Sequence, residues 1–231
     1  MAGTYTFAEF KDMLKLELGE TEGLDSHSSL GNLLGKWVNS AYIYLTTRYN
    51  LFGSKFKLYF PELEDMTTGD TVDGNAYIST PSSTFAVRSI YDQTSNVRLH
   101  NISLNDYMDY PDRADTDAES NPTEWVRHGT YIYLHPTPDA VYTLEVWRRK
   151  IPDVLTGTDS TAIGPEWDDI ILKIAVVQSL IRLKQYEEAS FHKQELADLI
   201  TGIVGIYTSE ETDRRAHRTP DQGYYDYEEM S

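Results

Sequence analysis

Apolar residues recur along the chain with two different periods, and the change between them divides it. Near the N-terminus Phe7, Phe10, Leu14 and Leu18 fall at helical spacing behind Thr6 and Glu9, the pair of a capping box, so a first helix is expected from Phe7 to Leu18. After a polar loop from Gly19 to Ser28, a second helix is expected over residues 29–49, with Leu30, Leu33, Leu34, Trp37, Ala41, Tyr44 and Leu45 on one face. From Lys55 the period falls to two. Lys55–Phe60, Ala76–Thr80, Phe85–Tyr91, Val97–His100, Glu124–Arg127, Thr130–Leu134 and Val141–Lys150 read as short strands, and Tyr142, Leu144 and Val146 share a face of the last. Pro61–Asn75 and Pro111–Ser120 read as acidic, turn-rich loops, and Ser103–Tyr110 as one or two helical turns.

The helical period returns at Pro165, which suits a first helical position, with Glu166, Asp168 and Asp169 at the positive end of the helix dipole. Trp167, Ile170, Ile171, Ile174, Val177 and Ile181 form its apolar face, and Lys184-Gln185 breaks it. A last helix is expected from Tyr186 to Ile206, with Ala189, Leu196, Leu199, Ile203 and Tyr207 on one side. The pattern predicts an α+β chain. Residues 1–53 and 160–207 build a helical bundle of about four helices. Residues 54–159 form an antiparallel β-sandwich or barrel-like insertion between the second and third of them, and residues 208–231 form an extended C-terminal arm. That arm has little apolar content and is expected to be unfolded by itself. Its Arg214, Arg215, Arg218, Tyr224, Tyr225 and Tyr227, set among acids, suit a segment that orders on a partner.

Charge narrows the partners. The formal net charge of −17 gives a molecule whose overall field repels nucleic acid, which suits a surface past which DNA slides without sticking. The absence of cysteine excludes disulfides, thiolate catalysis and Cys-ligated zinc, and fits synthesis in a reducing cytoplasm. No apolar run approaches the ~20 residues of a membrane-spanning helix, and the first residues lack the basic and apolar regions of a signal peptide.

Candidate chemistry is sparse. His27, His100, His128, His135, His192 and His217 are scattered, and only His128 and His135, flanking one hairpin, are placed to meet. Gly31 to Lys36 fails as a phosphate loop on spacing, with Trp37 where a magnesium-binding hydroxyl belongs. Asp70 to Asn75 lacks the alternating ligands of a calcium loop and reads as an Asp-Gly turn. The acidic loops provide no facing pair of carboxylates for glycoside hydrolysis. Among the four tryptophans, Trp37 and Trp167 lie on helix stripes and read as core. Trp125 and Trp147 lie on strands, where a sugar or a protein is an alternative.

The order of features resembles the head-to-tail connector (adaptor) proteins of tailed bacteriophages over most of residues 6–206. The resemblance is carried by Trp37–Tyr49, Tyr77-Ile-Ser-Thr-Pro81 and Phe85–Tyr91. It is carried further by Asn121-Pro-Thr-Glu-Trp125, Gly129–Asp139, Tyr142–Val146 with Ile151-Pro152 and Leu155-Thr156, and Ile163–Ala175. It implies a structural protein of the virion neck, assembled in the host cytoplasm, with neither enzymatic activity nor cofactor. It implies a dodecameric ring of copies of itself below the portal protein, a tail or nozzle protein docked beneath, and an axial channel that passes DNA without specific binding. The portal-binding arm would then carry Tyr207, Arg214, Arg215, Arg218, Tyr224, Tyr225 and Tyr227. The alternative is a β-sandwich glycan-binding module of a phage or bacterial surface protein, using Trp125 or Trp147. A hydrolase using carboxylates or His135 has no constellation behind it.

Overall fold

The computed structural model describes residues 4–19, 33–47, 58, 60–111 and 119–216, with the backbone alone described from residue 204 onward. Helix α1 (Phe7–Glu17) begins as its capping box requires. Thr6 Oγ1 accepts from the Glu9 N–H at 3.3 Å and the Glu9 carboxylate accepts from the Thr6 N–H at 2.8 Å. Helices α2 (Leu33–Thr47), α4 (Asp168–Arg182) and α5 (Tyr186–Ala216) join α1 around one apolar cluster. Phe10 and Leu14 enter it from α1, Leu34, Val38, Ala41, Tyr42 and Leu45 from α2, Ile170, Ile171 and Ile174 from α4, and Leu196 and Ile200 from α5.

The buried stripe of α2 is turned from the expected one. Val38 and Tyr42 are fully enclosed, while Leu33, Trp37 and Tyr44 are only half-buried. Tyr42 tolerates this depth because its hydroxyl accepts from the Ala162 N–H at 2.8 Å. Ile181 and Leu199, both expected in core faces, are exposed, and Ile200 takes the buried place on α5. The break between α4 and α5 falls at Lys184, whose φ of +64° is stabilised by a Schellman pair. Lys184 N–H donates to Ile181 O at 3.2 Å and Gln185 N–H to Leu180 O at 2.9 Å. Helix α5 runs past Ile206 to Ala216, so residues 208–216 are helical rather than part of an extended arm. Low apolar content weakens packing, not helix propensity. No Gly or Pro interrupts residues 206–216, and Glu210 and Glu211 precede Arg214 and Arg215 by the four-residue spacing that favours a helix.

Among the described residues seven strands form the other half: β1 (Glu64–Asp70), β2 (Tyr77–Ser79), β3 (Thr84–Asp92), β4 (Val97–Asn101), β5 (Glu124–His128), β6 (Tyr131–His135) and β7 (Thr143–Lys150). They make one sheet in the order β1-β7-β3-β4-β5-β6-β2, curled into a half-barrel. An antiparallel sandwich or barrel-like insertion was expected, and the half-barrel accords with the second form. The strands are not all antiparallel, however: β4 and β5 run parallel, since the chain between them includes α3 (Leu104–Asp109) rather than a hairpin turn. Ile78, Ile90, Leu99, Trp125, Ile132, Leu134, Leu144 and Val146 fill the concave side.

Strand β1 lies in a stretch read as a loop. It is an edge strand paired along its whole length to β7, from Glu64↔Arg149 to Asp70↔Thr143, and needs no apolar alternation of its own. The expected strand at Lys55–Phe60 lies mostly outside the described residues. Its Leu58 and Phe60 belong to no strand and are buried in the helical cluster. The turn at Asp73-Gly74 is present, with Gly74 at φ +71°.

Arg149 joins the two halves. It leaves the sheet on β7, donates to Thr46 O at the end of α2 at 2.6 Å, and lies against the rings of Phe60 and Phe85. A cation at the negative end of a helix is favourable, and here it is also enclosed.

Candidate functional site

Three of the expected attachment residues fall on α5. Tyr207, Arg214 and Arg215 lie on its helical backbone; Arg218, Tyr224, Tyr225 and Tyr227 lie outside the described residues. At ~1.5 Å per residue the 31 residues of α5 span about 46 Å. Among its described side chains Ala189, Leu196 and Ile200 are enclosed, with Ile203 packed beside them.

Two polar clusters fix the root of this helix and the helix before it. Lys173 is the sole charge between Asp169 and Arg182 on α4. Its Nζ lies 3.5 Å from Glu17 Oε2 on α1 and 3.0 Å from Glu195 Oε2 on α5, and His192 Nδ1 stands 3.0 Å from the same Glu195 oxygen. The Lys173 ammonium beside it holds the Glu195 carboxyl below the usual glutamate value. At the opposite end of α4, the buried Asp168 carboxylate accepts from the N–H groups of Thr4 (2.6 Å) and Tyr5 (3.0 Å) and from Thr161 Oγ1 (3.0 Å). Burial outweighs those three donors and raises its pKa. Sequence reasoning placed Asp168 only as a dipole partner and did not single out Lys173. The signal for Lys173 was a lone charge in an apolar helix.

The candidate chemical residues do not assemble. His128 pairs with Tyr131 and His135 with Glu124, at opposite ends of the β5–β6 ladder, so the two histidines do not meet. His135 instead stacks on Tyr110, with ring centroids 3.9 Å apart. Among the described residues no group of three or more His, Asp or Glu is placed to hold a metal ion, and no helix is long and apolar enough to cross a membrane. Trp167 lies in the helical core as expected, edge-on to Phe60 at 5.0 Å. Trp125 is enclosed in the sheet core and cannot stack on a sugar, whereas Trp147 is 45% exposed on the convex face. The Tyr142 hydroxyl, donating to Asp139 Oδ1 at 2.7 Å, has its pKa pushed up to about 12, the mark of a phenol that stays neutral rather than of a base.

The Lys173 cluster thus ties α4 to α1 and α5, and the Asp168 cluster ties the start of α4 to residues 4–5 and Thr161. No curated protein matches the chain. A family model does: the SU10 adaptor protein, over residues 5–222.

Proposed function

Because the chain belongs to the SU10 adaptor protein family, and so is a phage structural adaptor of the virion neck, we propose that it forms a dodecameric ring joining the portal of the DNA-filled head to the tail. The carrying observation is that the family match spans residues 5–222, from the N-terminal segment through the sheet and α5. In this reading residues 1–53 and 160–207 are the body of each subunit and residues 54–159 face outward or toward a tail or nozzle protein below. Residues 208–231 attach to the portal protein above. Arg214, Arg215 and Arg218 pair with portal carboxylates, for which the planar guanidinium is suited. Tyr207, Tyr224, Tyr225 and Tyr227 fill shallow apolar pockets. The net charge of −17 supports an axial channel whose field repels phosphates, so that DNA passes without binding. This role calls for neither a cofactor nor catalysis.

The test is a chain ending at Tyr207, which keeps the buried contacts of Leu196 and Ile200. It is expected to retain the unfolding midpoint of the full chain, with its helical circular dichroism lowered only by the loss of residues 208–216, while losing portal binding by about a hundredfold or more, as removal of a cluster of anchor residues does. Binding of the shortened chain to purified portal protein at full strength would exclude the arm from attachment.

A further inference from the structure

The convex face of the sheet carries an exposed surface of its own. Along β7 the side chains alternate. Leu144 and Val146 point into the sheet core, so Glu145 and Trp147 point outward. The register sets Met66 and Ser89 beside Trp147, Tyr91 beside Glu145, and Arg98 beside Tyr91. Trp147 is 45% and Met66 41% exposed, and Ser89, Tyr91, Arg98, Glu145 and Trp147 line a shallow depression of about 350 Å³.

Most polar groups here are already committed. Glu145 accepts from Gln93 Nε2 and, at 3.4 Å, from Trp147 Nε1, and the Tyr91 hydroxyl donates to Asn96. Arg98 differs. It is exposed and has no hydrogen-bond or ion-pair partner among the described residues. Elsewhere on the sheet Arg88 pairs with Glu64, Arg148 with Asp65, and Arg127 donates to the carbonyls of Thr84 and Phe85. In a chain with 37 acidic and 20 basic residues, an uncommitted arginine beside an exposed tryptophan and methionine combines side chains enriched at protein interfaces with a charge complementary to the rest of the molecule.

Resting on the ring reading above, we infer that this face receives the neighbouring copy of the chain, whose carboxylate pairs with Arg98 while an apolar side chain covers Trp147 and Met66. The contact is head-to-tail: one patch meets a different surface of the next copy, the kind of interface that closes into a ring. Its residues lie outside 208–231, so substitutions there test assembly around the ring independently of attachment to the portal.

The test compares the full chain with Arg98→Glu and Trp147→Ala in light scattering after gel filtration and in negative-stain images, alone and with purified portal protein. Both changes are at exposed positions, and unchanged melting curves would show that the subunit still folds. Each variant is expected to weaken ring formation by about tenfold or more, and rising salt is expected to weaken the wild-type ring more than the Arg98→Glu protein's residual assembly. Wild-type rings accompanied by equally stable variant rings would overturn the inference and leave the adaptor reading standing. A wild-type chain that forms no ring with or without the portal would overturn both. Intact variant rings together with glycan binding lost in Trp147→Ala would give the surface to a sugar instead and overturn the self-contact.

Discussion

Among the described residues, twenty-three buried apolar side chains share the cluster of the helical body and eight share that of the sheet. The sheet makes up the difference with arginines. Arg148 reaches Ser82 O, Thr84 Oγ1 and Asp65 Oδ2, and Arg127 reaches from β5 past β4 to two carbonyls of β3. The body thus rests on non-directional apolar burial, which tolerates volume-conserving change. The curl of the sheet rests on directional bonds, each of which leaves a desolvated partner behind when broken. Arg149 belongs to both, tying the end of α2 to β7.

The largest effect that separates these modes is expected at Ile174, fully enclosed between helices. Ile174→Ala should cost about 3–4 kcal/mol, through lost transfer energy and the cavity left behind. Urea unfolding measures it, and a loss under 1 kcal/mol would mean the body is not packed as described. Arg149→Ala should cost about 2–3 kcal/mol, since Thr46 O loses its donor and Phe60 and Phe85 lose the enclosed guanidinium. It should also split one calorimetric transition into two; a single sharp transition in the variant would show that the halves are coupled by other means. Arg148→Ala should cost about 1–3 kcal/mol, and fluorescence of the exposed Trp147 should register the loosened sheet before far-UV helix signal falls.

A smaller effect of opposite sign tests the joint between α4 and α5. Lys184 adopts φ +64°, a region that costs a residue bearing a Cβ, so Lys184→Gly should stabilise by about 1 kcal/mol. A lowered melting temperature would contradict the Schellman geometry. The smallest effects are in pH dependence. The Glu195 carboxyl is lowered, so its contribution is present above the ordinary value near 4.5 and lost as pH falls through its folded value. The margin of wild type over Glu195→Gln should therefore shrink on acidification. Asp168 is raised by burial and works the other way: its contribution is present below about 3.8 and lost as pH rises through its folded value. Asp168→Asn should lose less stability than wild type over that rise, a sign that paired titrations of melting temperature read directly.

The same contrast explains what could be read in the chain. Helical period, a capping box and a break at Lys184-Gln185 are local signals, and α1, α4 and the joint to α5 appear where they indicate. The expected strands from Ala76 onward are present within a few residues of their expected limits, because Ile90, Ile132 and Leu144 alternate with polar neighbours. The sheet's topology is not local. Nothing in Glu64–Asp70 marks an edge strand, since its order comes from β7, and nothing in Val97–Asn101 tells that β4 pairs parallel to a strand across a helix-bearing crossover. Trp125 and Trp147 have the same strand setting in sequence, and only the register buries one and exposes the other. The arginines and tyrosines proposed for attachment stand out in the sequence only as composition. The helix that runs through Arg214 and Arg215 was not foreseen, because propensity carries it although no apolar stripe does.

The most direct measurement of the central claim is to mix the purified full-length chain with its phage's portal protein and image the products by negative-stain electron microscopy. The account predicts rings stacked coaxially on the portal, with an open axial channel. A chain that stays monomeric beside unoccupied portals would contradict it.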